Sequence, residues 1–276
     1  MSVGTPEGGA NGQLPVRWRR NADSLTPGQL ETLRTAHAAV MAIGDDRGYS
    51  FYAGIHGLPR PIGCDNAHAS PYFLPWHRAY LYFLERALRD QVPDAALVWW
   101  DWTTGALPAV YDVEQDEAGN ANPLFSADVD PLALQQGLEG SEPIEVAPRT
   151  LRQPGSPGSP DLPTAEEVED VLATTSFLDF SAQVEDLHNR VHVWTGGQEG
   201  HMSQIAFAAF DPVFWAHHAM IDRLWRIWQL RHPGAQPPFS LLDDALPPFR
   251  AVVQQTLDVP ALGYDYASST SSTLVT

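Results

Sequence analysis

The sequence of 276 residues has a single cysteine, Cys64, and no lysine. One cysteine cannot make an internal disulfide, and zinc fingers or iron–sulfur clusters built from cysteines are excluded with it. All 16 basic residues are arginines, and the 34 acidic residues set against them bring the formal charge to −18. That balance opposes binding to nucleic acid or to an anionic membrane and favours solubility. No apolar run is long enough to span a bilayer, and no internal repeat is evident. The opening stretch, MSVGTPEGGANGQLPVRWRRNADSLTPG, has no hydrophobic region after its arginines, so neither a secretory nor a twin-arginine signal is present. The expectation is a cytoplasmic protein, unless a partner carries it out or a leader has been removed.

What the chain does contain is apolar and aromatic. It is 43% hydrophobic, with nine tryptophans, eleven phenylalanines and eight tyrosines, enough for one large core. TPGQLETLRTAHAAVMAIG opens with a Thr-Pro helix start and continues at helical spacing through Leu30, Leu33, His37, Val40 and Met41. YSFYAGIHG runs to a glycine stop. PWHRAYLYFLERALRDQ places Pro75 in a first turn and an apolar face along Tyr80, Leu84 and Leu88. VEDLHNRVHVW and DPVFWAHHAMIDRLWRIWQL read as two further helices. From about 103 to 163, ending in PGSPGSPDLP, and again after 232, the text turns to loop. The pattern predicts one mainly α domain over residues 1–276, because no second core lies beyond either Gly/Pro tract.

The arrangement of the ten histidines matters more than their number. His188 and His192 are four apart and project from one helix face. Alone such a pair is weak evidence, and Asn189 stands where the zinc-protease motif H-E-x-x-H needs its glutamate. His68 and His77 bracket ASPYFLPW, and His56 ends FYAGIHG. With His217 or His218 these make six candidate imidazoles in two groups of three, set among Tyr72, Phe73, Trp76, Trp194, Phe214 and Trp215. An imidazole shell without thiolate suits zinc, copper, iron or nickel, and composition does not choose among them. Periodicity does not choose between His217 and His218 either. Phe214, His218, Ile221, Asp222 and Trp225 share one helix face, while Val213, His217, Met220 and Leu224 form an almost equally apolar neighbour.

HASPYFLPWHRAYLYFLE (68–85) and DPVFWAHHAMID (211–222) resemble the two signature segments of the type 3 copper family, the tyrosinases, catechol oxidases and related polyphenol oxidases. YSFYAGIHG is similar to the family's first ligand segment, LVWWDWT to the Trp-Asp-Trp segment after the first copper site, and VEDLHNRVHVWTGG to the start of the second. GHMSQIAFAAF resembles the approach to the last ligand, and LGYDY (262–266) the tyrosine motif that closes the catalytic domain. The pattern is closer to the fungal branch, and the disulfides of the plant enzymes cannot form here. The resemblance implies a four-helix-bundle core around a dinuclear copper site, with long loops and a few short strands. It implies two copper ions as cofactor and O2 as co-substrate. The first copper would take His56, His68 and His77. The second would take His188, His192 and the later histidine of the final pair, His218. His37 is a rival first ligand, since bacterial members carry one in a helical context, but the AGIHG setting favours His56. His201 and His232 lie in loop text and read as surface histidines.

The implied activity is that of a phenol oxidase, converting o-diphenols to o-quinones and hydroxylating monophenols at the ortho position. Glu185, three residues before His188, and Asn189, directly after it, match positions that orient a water near the coppers. Together they would form the base that deprotonates a phenol. Without that context they read as a solvated charge and a helix-face amide. Phe214, one turn before His218, is expected either to stack on the substrate ring and narrow the entrance or to pack in the core. Many members join a cysteine to the second ligand of the first copper by a thioether. The fungal ones place it two residues before that histidine, whereas Cys64 stands four before His68, so thioether and free thiol both remain open. Asp222 and Arg78 are expected to bond to each other or to ligand imidazoles. Catechol oxidase and o-aminophenol oxidase are the alternative activities. A hemocyanin-like oxygen carrier uses the same six histidines, but carriers are much longer multidomain subunits. A zinc hydrolase would leave His68 and His77 unexplained. The expected partners are small phenols, and any copper-delivery partner has no signature in the sequence.

Overall fold

Thr26 accepts a hydrogen bond from the Gln29 amide and Gln29 returns one to Thr26, a reciprocal cap that starts α1 (Pro27–Met41). α2 (Tyr49–His56) stops at Gly57, α3 (Cys64–Ala67) is a single turn, and α4 (Phe73–Gln91) carries Pro75 in its first turn, where no donor is required. The computed structural model describes residues 16–61 and 64–267, without the side chains of Cys64 and Asp65. The stretch expected to be loop between 103 and 163 holds α5 (Ala109–Asp112) and α6 (Pro131–Glu139). Asp130 caps α6 by accepting from the Leu132 amide, just ahead of a proline at the first helical position, a start signal that the surrounding Gly/Pro-rich text obscured. A second reciprocal cap, Thr164 with Glu167, opens α7 (Ala165–Leu172). α8 (Phe177–Gly196) begins at Ser176, two turns earlier than its apolar periodicity predicts, and α9 (Val213–Arg231) follows.

The chain is mainly helical, and the histidine-bearing helices form its core. α4 packs on α8 and α9, and α8 on α9. The expected face of α4, with Tyr80, Leu84 and Leu88, has no exposed surface, and Trp215, Leu224 and Trp225 of α9 are equally enclosed. Among the described residues no helix is long and apolar enough to cross a membrane.

Three short strands bring the first and last of the described segments together. β1 (Arg17–Asn21) lies between β2 (Val98–Trp99) and β3 (Tyr264–Tyr266), parallel to both, with Arg20 opposite Val98 and Arg19 opposite Tyr266. Arg19 points inward and is fully buried. Its guanidinium meets Glu85 of α4 at 3.0 Å and Asp222 of α9 at 3.1 Å, and lies 3.6 Å over the Tyr264 ring. Asp222 also pairs with Arg78 and accepts the hydroxyls of Tyr264 and Tyr266 at 2.7 and 2.6 Å. Burial alone would raise the Asp222 carboxyl, but Arg78 and Arg19 outweigh it and hold it below its ordinary range. Asp222 and Arg78 therefore bond to each other. Removing one partner of such a buried network costs roughly 3–5 kcal/mol, because the remaining charge is left uncompensated. The network fixes α4 and α9, which carry His77 and His218, against the sheet.

Candidate metal centre

Two groups of histidines converge in the core. His56 from the end of α2, His68 from the loop after α3 and His77 from α4 form one; His188 and His192 from α8 with His217 and His218 from α9 form the other. Within each group the ligand atoms lie within 4.8 Å of one another. The groups adjoin: the rings of His77 and His218 stack at 4.5 Å, and those of His68 and His188 lie 5.8 Å apart. His68 and His192 are partly exposed, while the other members are buried, so one edge of the site reaches solvent.

Four of the rings have their Nδ1 occupied by a carbonyl oxygen. His77 Nδ1 donates to the Phe73 carbonyl at 2.8 Å, His192 Nδ1 to Met202 at 2.7 Å, and His56 Nδ1 to Ile205 at 3.3 Å. His188 Nδ1 donates to Asn189 Oδ1 at 3.0 Å. A carbonyl oxygen can only accept, so each of these rings carries its proton on Nδ1 and presents a lone pair at Nε2. The Nε2 atoms of His56 and His77 are buried without a protein partner. Those of His188 and His192 face His218 Nε2 at 3.2 and 3.4 Å, and one proton on His218 satisfies at most one of them. Burial, reinforced by the neighbouring imidazoles, pushes His56, His77, His188 and His218 well below the usual histidine range, and burial brings His192 to about 4. Neutral imidazoles with converging, unpartnered lone pairs and no thiolate fit copper ions, which would satisfy the acceptors the protein leaves open.

Other residues differ in part from expectation. His217 joins the second group, stacked on His188 at 5.0 Å with both ring nitrogens buried and unpartnered. His218 is the member whose Nε2 faces both α8 histidines. His37 lies outside both groups, on α1, where its Nδ1 donates to Leu33 and burial pulls it to about 4. His201 is no surface histidine: it is fully buried between the Leu151 amide and the Ala147 carbonyl. His232 is half-buried and donates to Leu172. Phe214 has no exposed surface and packs 4.8 Å from the His56 ring and 4.1 Å from His218. It packs against a member of each group, the core-packing alternative of the two expected for it. The choice between thioether and free thiol at Cys64 concerns a side chain outside the described residues.

Glu185 is nearly buried beside the ligands. Its Oε1 accepts from the Ala69 amide at 2.7 Å, which helps hold Ala69 at φ 50°, a backbone region uncommon outside glycine. Burial raises the Glu185 carboxyl above its ordinary value, and the charge of Asp186 adds to this. Sequence reasoning missed the carbonyls of Met202 and Ile205, since every residue carries the same backbone group. Gly57 brings the second of these close. A Cβ there would lie 2.4 Å from the Ala206 oxygen, and Leu58 N bonds that same oxygen at 3.0 Å.

The model of the common central domain of tyrosinase matches residues 46–231. A tyrosinase from Streptomyces glaucescens is 33% identical over 240 residues, covering 79% of this chain and 84% of that protein. A G-type hemocyanin of Enteroctopus dofleini (units Oda to Odg) is 33% identical over 249 residues, which is 84% of this chain and only 8% of the length of that protein. The structure of a functional unit from octopus hemocyanin superposes with a TM-score of 0.74 at 28% identity, covering 92% of this chain and 68% of that one. The chain belongs to the tyrosinase family of type 3 copper proteins. The adjoining histidine groups form its dinuclear copper site.

Proposed function

We propose that this chain is a phenol oxidase that converts o-diphenols to o-quinones with O2 and hydroxylates monophenols at the ortho position. The proposed ligands are His56, His68 and His77 for one copper and His188, His192 and His218 for the other. Bound copper supplies the two-electron oxidation and the oxygen chemistry. The observation that carries the reading is Glu185: a carboxyl of raised proton affinity, one turn from His188 and bonded to the amide that follows His68. A base of raised pKa in that position accepts the phenol proton, with one oxygen fixed by Ala69 and the other without a protein partner. Asn189 keeps the proton of His188 on Nδ1 and so keeps Nε2 available. Phe214 packs against His56 and His218.

The test loads the chain with copper and follows oxygen uptake with tyrosine, a catechol and an o-aminophenol in parallel. Turnover of the catechol and of tyrosine is expected. Turnover of the catechol or the aminophenol alone would reassign the activity, and reversible oxygen binding with no turnover would make the chain a carrier. Glu185→Ala is expected to lower kcat/KM for monophenols about a hundredfold, in the range of general-base catalysis, with a smaller loss for diphenols. Equal losses would remove the base role.

A further inference from the structure

A cavity of about 520 Å³ lies along α8, and its lining includes Ala69, the neighbour of His68, with Pro71, Leu178, Ser181, Glu185 and Asp186. Ser181, Glu185, His188 and His192 follow one another at helical spacing on a single stripe of α8. Ser181 thus stands two turns N-terminal to His188, about 10 Å along the helix axis. Ser181 is 98% buried and its hydroxyl has no hydrogen-bond partner. The lining carries two carboxylates, Glu185 and Asp186, and no cation. Arg190, one turn further on, is engaged by Glu167 at 2.6 Å.

We propose that this cavity is an ammonium subsite: it selects phenols that carry a short aminoalkyl tail over phenols with a carboxylate tail. The inference rests on the phenol oxidase reading and names its substrate class. An ammonium group has donors only, and Ser181 Oγ and the Asp186 carboxylate are acceptors left open for it. Glu185 separates the two ends of the ligand, with the phenol toward His188 and the amine toward Ser181. Leu178 and Pro71 offer apolar wall to the methylenes between. A carboxylate tail in the same place meets two like charges and no cation. Asp186 is exposed and therefore screened, so discrimination comes from the enclosed end and is moderate in size.

The experiment uses the full copper-loaded chain under argon, where no turnover occurs, and compares binding of 4-hydroxyphenethylamine with 3-(4-hydroxyphenyl)propionate by calorimetry. The two share a phenol and a two-carbon tail and differ in head-group charge. The amine is expected to bind about tenfold more tightly, the worth of one charge-assisted hydrogen bond. Asp186→Asn and Ser181→Ala should each narrow that ratio, Asp186→Lys should invert it, and added salt should compress it. Equal affinities, a ratio unmoved by Asp186→Asn, or no binding of the amine at millimolar concentration would overturn the proposal. Failure of the oxidase reading shows separately, as absent oxygen uptake with an intact binding preference.

Discussion

His217 and His218 are adjacent, fully buried and brought into the same group, yet they are not equivalent. His218 Nε2 meets the lone pairs of both α8 histidines, while the His217 ring lies flat against His188 and toward Trp102. Metal analysis separates them. His218→Ala should reduce bound copper from two ions per chain to one, whereas His217→Ala should retain two; the reverse pattern would reassign the ligand. At this scale the sequence was most legible where a side chain repeats at helix spacing, as with His188 and His192. It was least legible where two neighbours are both apolar-flanked, as in this pair, because both faces of α9 are buried and periodicity loses its contrast. His201 was misread for a related reason. Loop text implied exposure, but the 201–203 turn is folded under Leu151 and Ala147.

The long helices α1, which is capped, and α4 and α9, which are not, follow from the sequence almost to their ends. α5 and α6 did not, since short helices have few periodic positions to count. The loop carrying Ile205 and Ala206 illustrates what periodicity leaves out. It orients His56 through a backbone carbonyl, and it gets there because Gly57 has no side chain. Gly57→Ala would drive a Cβ into the Ala206 backbone and displace that carbonyl from His56. Loss of such an orienting contact should weaken copper binding at the first group by about ten- to a hundredfold, with the second group less affected. A chelator titration, run with circular dichroism to verify folding, reads this directly. Unchanged affinity would mean that His56 is held by its ring neighbours, Tyr80 and Phe214, instead.

For the molecule as a whole, the buried imidazoles make the metal-free fold sensitive to acid. His37 and His192 titrate at about 4 when folded, against about 6.5 in an unfolded chain. Below 6.5 the unfolded state therefore holds more protons, and stability falls as pH drops from 6.5 toward 4, while above 6.5 neither group contributes a slope. His37 alone accounts for roughly 3 kcal/mol across that window. Urea unfolding of the metal-free chain should show a smaller loss between pH 7 and 4.5 for His37→Leu than for the unsubstituted protein. An identical loss would place the acid sensitivity elsewhere.

The sheet that joins β1 to β3 has a consequence in time. Strand Arg17–Asn21 leaves a ribosome before every histidine of the two groups, and its partner Tyr264–Tyr266 leaves after them. Every histidine of both groups is synthesised before the tyrosines that complete the Arg19–Asp222 network. The clamp on α4 and α9 therefore cannot close until every ligand candidate has already been made.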